Sequence, residues 1–386
     1  MKTNWTAYLL SLCLALAVTG NILIFSASSL AALRIAPLRA LATLPIVLQY
    51  ASAALVSLPA SFLMSRFGRR VVFAGALALC GLGAVVSAWA LLLGEFWLFN
   101  IGALLLGFLG GVAPYYRFAA IDAATPAAKA KAISAVLAGG VLAALAGPTL
   151  AKVSKDWLEP QFMGTFLALG FLPLVSLVLL LGVRIPKPEP LSEAGRSMKE
   201  IMAQPRFRLA VTAAVLSYAV MSLLMVDTPL AMSDCQIGFG SISSVIQWHV
   251  LGMFVPSFFT SHLIRRFGVN RVLSLGGWCY LGAIGVNLFG QELWNFWAGL
   301  LLVGLGWNFL YLGATDLLTE TYLPQEKAKV QGFNETLILC TIAGVSLGSG
   351  LLFAAVGWVG VNLVALGLVL TVLSLIYWLQ KQPVQA

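Results

Sequence analysis

Apolar runs of about twenty residues, separated by short polar links, recur from one end of the chain to the other. A helix of about twenty mostly apolar residues is long enough to cross the hydrocarbon of a bilayer. On that criterion the pattern predicts twelve spans, at residues 8–33, 43–64, 71–93, 97–121, 131–151, 162–183, 209–231, 241–264, 272–290, 294–317, 331–355 and 358–380. Strand spans would be shorter and alternate in polarity, so the expected spans are helical. The longest polar stretch, Arg184 to Arg208, divides them six and six. Within it, Pro186-Lys187-Pro188-Glu189-Pro190 predicts extended chain, and Ser192 to Ala203 predicts a short surface helix. The expectation is an all-α integral membrane protein: a six-helix bundle at 1–183, a linker at 184–208 and a second bundle at 209–386.

The polar links add an internal repeat. Ser61-Phe-Leu-Met-Ser-Arg-Phe-Gly-Arg-Arg70 joins two apolar runs, and Ser261-His-Leu-Ile-Arg-Arg-Phe-Gly268 does the same 200 residues further on. One cationic, glycine-turned link used at the same place in both halves predicts two related bundles in tandem.

Composition agrees with a lipid solvent. Hydrophobic residues make up 60% of the 386 and charged residues 10%, against about 25% charged in a soluble domain. The net charge of +9 does not indicate nucleic acid, because the cations sit in the short links and form no patch. With the N-terminus inside, eighteen lysines and arginines fall in inside links, and four (Arg34, Arg39, Lys152, Lys155) in outside links. That asymmetry predicts both termini in the cytoplasm and an inner-membrane location. Met1-Lys2 runs straight into the first apolar stretch without a small-residue cleavage site, so that stretch is expected to stay as the first span. Of the five cysteines, four lie inside apolar runs without CxxC spacing and are expected to pack rather than to form disulfides.

Six spans, a linker, six spans and a basic turn after the second and eighth resemble the major facilitator superfamily. The superfamily's signature after its second span is similar to Gly-x-x-x-Asp-Arg-x-Gly-Arg-Arg/Lys. Here Arg66-Phe-Gly68-Arg69-Arg70 matches the second part, while Ser61 stands for the glycine and Ser65 for the aspartate. In the family that aspartate helps clamp the cytoplasmic ends of the bundles. Gly107-Phe-Leu-Gly110-Gly111 through Pro114, Asp122, Pro126 and Lys129-Ala-Lys131 resembles the family's glycine-rich fourth span and its following turn. Gly304-Leu-Gly306-Trp307-Asn308 through Glu320, Pro324 and Lys327-Ala-Lys329 is the counterpart. Ala143-x-x-x-Gly147-Pro148 partly matches the glycine-proline signature of antiporter branches. The resemblance implies alternating access between two bundles, with spans one, four, seven and ten lining a central cavity.

Polar groups inside spans are the functional candidates, since each is costly in hydrocarbon. On the implied cavity fall Asn21 and Phe25, Tyr115 with Tyr116, Tyr218, and Trp307 with Asn308 and Tyr311. Gln49 with Tyr50 in span two and Gln247 in span eight are further contributors. Amides and aromatics without a full charge suit a planar or amphipathic, largely neutral solute. His249, about four residues outward of the middle of span eight at roughly 1.5 Å per residue, either carries a coupled proton or is an uncharged, hydrogen-bonded imidazole. Asp227 is an outer gate residue or proton acceptor, or a solvated helix end. Arg117 cannot shed its charge. It is expected to pair across the inner mouth with Asp316, Glu320 or Glu335, or else with Asp122 or a lipid phosphate. Arg66 and Arg69 are expected to meet the start of span eleven, where Glu335 is also favoured by the helix dipole.

There is no GxxxxGK[ST] for ATP and no HExxH or other metal spacing around His249 and His262. The expected protein is therefore no enzyme and needs no cofactor beyond a proton gradient; its partners are a small-molecule substrate and the bilayer, and it is expected to be a monomer. The expected activity is proton-coupled secondary transport of a small organic solute, leaning to efflux by antiport on the span-five signature. The alternatives are uptake of a vitamin-like or siderophore-like compound and, in another class, a non-transporting sensor or assembly partner on the same scaffold.

Overall fold

The computed structural model describes residues 5–38, 41–42, 44–124, 129–186 and 195–380. Lys2, Arg39, Lys187 and Lys381, Pro126 and the expected extended run from Lys187 to Pro190 lie outside them. Every element is helical: α1 Trp5–Ile35, α2 Leu44–Phe67, α3 Arg69–Leu93, α4 Phe96–Val112, α5 Tyr116–Asp122, α6 Lys129–Leu137, α7 Gly139–Ser154, α8 Met163–Leu181, α9 Met198–Ala203, α10 Pro205–Asp234, α11 Phe239–Phe254, α12 Ser257–Phe267, α13 Val269–Phe289, α14 Leu293–Thr319 and α15 Lys327–Gln380.

Among the described residues ten helices are long and apolar enough to cross a membrane, and the bent pair α11–α12 makes eleven. The last, α15, runs for 54 residues, about 80 Å at 1.5 Å per residue, against about 30 Å of hydrocarbon. Gly357, at φ 64° and ψ −173°, interrupts it, so α15 is long enough for two passes, which brings the candidate spans among the described residues to twelve.

Three expected elements differ in detail. The eighth span is no single helix: α11 and α12 meet at Val255-Pro256 with a 41° bend, because Pro256 has no N–H to continue the ladder. The fourth is α4 and α5 joined by a 3₁₀ turn, Ala113–Tyr115, that contains Pro114. The surface helix is shorter than expected. It starts at Met198, where Ser197 caps it and receives the Glu200 side chain on its own backbone N–H.

The chain divides into two compact units, Met1–Pro190 with Gln331–Cys340, and Leu191–Val330 with Thr341–Ala386. In the first, α4 is flanked by α2 and α3, α8 lies on α3, and α1 packs on α7 and α8. In the second, α14 is the hub, taking α10, α11 and α13 on its sides. Lipid tails are as apolar as leucine, so helix association here rests on close packing of small residues. A Cβ on Gly107 would collide with the Gln49 carbonyl of α2, and one on Gly304 with the His249 carbonyl of α11.

The repeat seen in the sequence holds at the backbone. Gly68 turns between α2 and α3 at φ 86°, ψ 152°, and Gly268 between α12 and α13 at φ 85°, ψ 153°. Side chains other than hydrogen are strained there, which is why both links keep glycine. The arginine two residues before each glycine lies over the ring of the following phenylalanine: Arg66 over Phe67 and Arg266 over Phe267, both at 5.3 Å.

Candidate gating and substrate site

The first unit gathers charges at one end of its helices. Arg117, on the short helix α5, donates from NH2 to Glu335 Oε1 at 2.6 Å, with both side chains 2% exposed. Its NH1 donates to the Pro114 carbonyl at 2.9 Å, and its guanidinium lies 4.4 Å from the Phe118 ring centre. Asn334 Nδ2 adds a second donor to Glu335 Oε1 at 2.7 Å. Beside this pair Arg69, the first residue of α3, donates to Asp122 at 2.7 Å and to Gln331 Oε1 at 3.2 Å. The 3₁₀ turn Ala113–Tyr115 separates α4 from α5, which carries both Arg117 and Asp122.

Of the expected gating residues, Arg117, Arg69 and Glu335 therefore come together, with Asp122 and Gln331 as additions. Arg66, Asp316 and Glu320 do not. Arg66 is exposed and stacked on Phe67, and Glu320 is exposed and paired with Arg206 at 3.0 Å. Asp316 lies in α14 of the other unit, where its carbonyl accepts from Thr319. The carboxylate missing at position 65 is not restored there, since Ser65 Oγ donates to its own helix at Phe62 O. Small size matters at Ser61 instead: Leu58 and Ser61 lie so close to Gly332 that a Cβ there would crowd both.

The second unit carries a clasp that the sequence did not announce. Arg196, just after the linker, donates through Nε and NH2 to both oxygens of Glu326, at 2.8 and 2.6 Å, and through its backbone N–H at 2.7 Å. Glu326 is fully buried. Those bonds hold the Arg196 guanidinium above its ordinary pKa. Lys329 Nζ donates to the Arg196 carbonyl, and Arg196 and Gln204 both donate to Thr321 O at 3.0 Å.

The expected substrate residues separate into three kinds. Asn21 is exposed and Phe25 half-buried on α1, and Gln49 Nε2 donates to Asn21 Oδ1 at 3.4 Å. Tyr218, Trp307 and Tyr311 form one aromatic group: Trp307 and Tyr311 stack at 4.8 Å, and Tyr218, half-buried, meets both edge-on at 5.4 and 5.1 Å. Phe254 closes the far side of Trp307 at 5.7 Å. Gln247 is half-buried on α11.

Tyr115 and Asn308 are committed to the scaffold. The Tyr115 hydroxyl donates to Ser57 O at 3.0 Å, and the side chain is fully buried. Asn308 Nδ2 donates to Met253 O at 2.6 Å and Ser257 Oγ at 2.8 Å, while its Oδ1 accepts from Thr260 at 2.7 Å. The broken helix leaves carbonyls without partners beside Pro256, and this amide satisfies one of them. Gly111 stands at the matching place in the first unit, against the Ala53 carbonyl; Asn308 is thus the repeat partner of Gly111.

His249 is fully buried, its Nδ1 donating to Leu300 O of α14 at 2.8 Å, with Nε2 unpartnered among the described residues. Asp227 is no solvated helix end. It too is fully buried in α10.

A model of the Major Facilitator Superfamily matches residues 7–234. The chain belongs to that superfamily. It is 38% identical over 371 residues, 95% of this chain and 93% of the other, to the riboflavin transporter RfnT of Brucella anthropi. It is also 27% identical over 339 residues to the uncharacterized MFS-type transporter YdeG of Bacillus subtilis. Among solved structures it resembles the human organic anion transporter MFSD10 (TM-score 0.77, 16% identity, 97% of this chain and 100% of that one). It also resembles the superfamily transporter FucP in its outward conformation (TM-score 0.75, 16% identity, 99% and 100%). At such identities the solved structures bear on the fold alone. The protein is a multi-pass superfamily transporter for a small molecule, and not an enzyme.

Proposed function

We propose that this transporter imports riboflavin or a closely similar flavin, driven by the proton gradient. The observation that carries the reading is the 38% identity to a riboflavin transporter along 95% of this chain and 93% of that one. The chemistry of the candidate site agrees. Riboflavin joins a planar, uncharged ring system to a hydroxylated chain. Within the second unit, the Tyr218–Trp307–Tyr311 group supplies aromatic surface for the ring. The group carries no net charge, as a neutral solute asks.

Efflux by antiport is the weaker reading. It rests on Ala143-x-x-x-Gly147-Pro148, and Gly147 has a packing role of its own, since a Cβ there would collide with Ile22 of α1. In the cycle we infer that Arg117–Glu335 and Arg69–Asp122–Gln331 act as a latch that forms and breaks as access alternates between two six-helix halves. The charge asymmetry of the links supports both termini in the cytoplasm and an inner-membrane location.

The test is complementation. A bacterial strain that cannot synthesise riboflavin and lacks its own uptake system should grow on low external riboflavin when it makes this protein. Growth only at the high concentration needed by the empty strain, with the protein present in the membrane, would remove the proposal.

A further inference from the structure

Asp227 and Ser349, two of the buried polar side chains with oxygens that lack a hydrogen-bond partner among the described residues, belong to the second unit. Asp227 of α10 is 0% exposed, and neither of its carboxylate oxygens has a hydrogen-bond partner among the described residues. The polar side chain acting on it is that of Ser349 on α15, 1% exposed and with its own Oγ unpartnered. The neighbouring Thr228 hydroxyl is spent on Leu224 O at 2.6 Å. The elements packed on α10 carry Lys199 and Glu200 (α9), His249 (α11), and Tyr311 and Asp316 (α14). None of these forms a hydrogen bond or an ion pair with the Asp227 carboxylate among the described residues.

A carboxylate left in low dielectric without a counter-charge or donor is very costly. The arrangement therefore calls for a ligand that neutralises it. Three side-chain oxygens, two of Asp227 and one of Ser349, are too few for a hard metal cation, which takes six or more oxygens. A proton needs one: an O–H bond forms on an Asp227 oxygen, and that O–H can donate to Ser349 Oγ. Release to the opposite side breaks the same bond and restores the carboxylate. His249 differs in kind. Loading a proton on its Nε2 would create a buried cation, while its Nδ1 is already used to tie α11 to α14.

We propose that Asp227 and Ser349 are the proton-carrying pair of the transport cycle, and that His249 is a helix tether. This deepens the proton-driven reading above and rests on it for the direction of flux, while the site itself can be tested without any substrate. Infrared difference spectra of the protein in liposomes, taken between high and low pH, should show a protonated-carboxyl band. Asp227→Asn should lack that band and Ser349→Ala should shift its frequency. An unchanged band in Asp227→Asn, or no such band in the unaltered protein, overturns the assignment whatever the substrate is.

Transport gives the second arm, with riboflavin as the probe. Asp227→Asn should keep riboflavin counterflow within about twofold, yet lose at least tenfold of the accumulation driven by an imposed pH gradient; His249→Gln should keep both. Accumulation driven by a sodium gradient and indifferent to pH would overturn the proton. Absence of counterflow in the unaltered protein would count against riboflavin and leave the infrared result to decide the site.

Discussion

Arg117 and Glu335, 218 positions apart in the chain, meet at 2.6 Å in a pocket that leaves each only 2% exposed. Such a pair is costly to bury and more costly to halve, about 3–5 kcal/mol when one partner is removed. That asymmetry suits a latch, which has to hold in one state and release cleanly in another. Arg117→Ala is expected to reduce initial uptake by at least tenfold with the protein still in the membrane. The exchange Arg117→Glu with Glu335→Arg should recover part of it. Uptake by Arg117→Ala equal to the unaltered protein would end the latch reading.

Asn308 makes a contrasting prediction. Its three bonds to Met253, Ser257 and Thr260 serve the broken helix, so Asn308→Ala should lower the melting temperature by several degrees. The cost is about 2 kcal/mol, as for losing buried hydrogen bonds. The KM of the surviving protein should change less than twofold. A large rise in KM without loss of stability would return Asn308 to the substrate site.

The aromatic group tests the same division from the other side. Tyr218→Ala, at the half-buried edge of the Trp307–Tyr311 stack, should raise the KM for riboflavin about tenfold with little change in melting temperature. Aromatic contacts with a planar ring are worth roughly 0.5–1.5 kcal/mol each, and tenfold is about 1.4 kcal/mol. Equal KM values would place the ligand elsewhere.

The Arg196–Glu326 clasp is expected to keep the end of the linker folded against the residues before α15. Arg196→Ala leaves a fully buried Glu326 without its strongest donor, a loss of about 2 kcal/mol for bonds to a charged group. Limited proteolysis of protein in liposomes should then cut near residue 196 several times faster. Unchanged cleavage would show that Lys329 and Gln204 hold the segment without Arg196.

The twelve spans were legible because membrane length and apolar composition are local properties of the chain. So was the repeat, down to the paired backbone angles at Gly68 and Gly268. The charge on Arg117 announced a carboxylate partner, since arginine stays ionised, but three carboxylates were open to it and only packing chose Glu335. Arg66 shows the opposite limit: three positions before Arg69, at the end of α2, it goes to solvent while Arg69 turns inward at the start of α3. Asn308 and Tyr115 misled for a shared reason. A polar side chain in a span reads the same whether it faces a cavity or satisfies a neighbour's freed carbonyl. The carbonyls freed near Pro256 belong to another helix and cannot be foreseen from α14 alone.

The most direct measurement is uptake of radiolabelled riboflavin into liposomes holding the purified protein, with a pH gradient imposed acid outside. The account predicts saturable accumulation above equilibrium, abolished by a proton ionophore and by Arg117→Ala. Riboflavin that enters no faster than into empty liposomes, or that leaves loaded liposomes in exchange for protons, would contradict it.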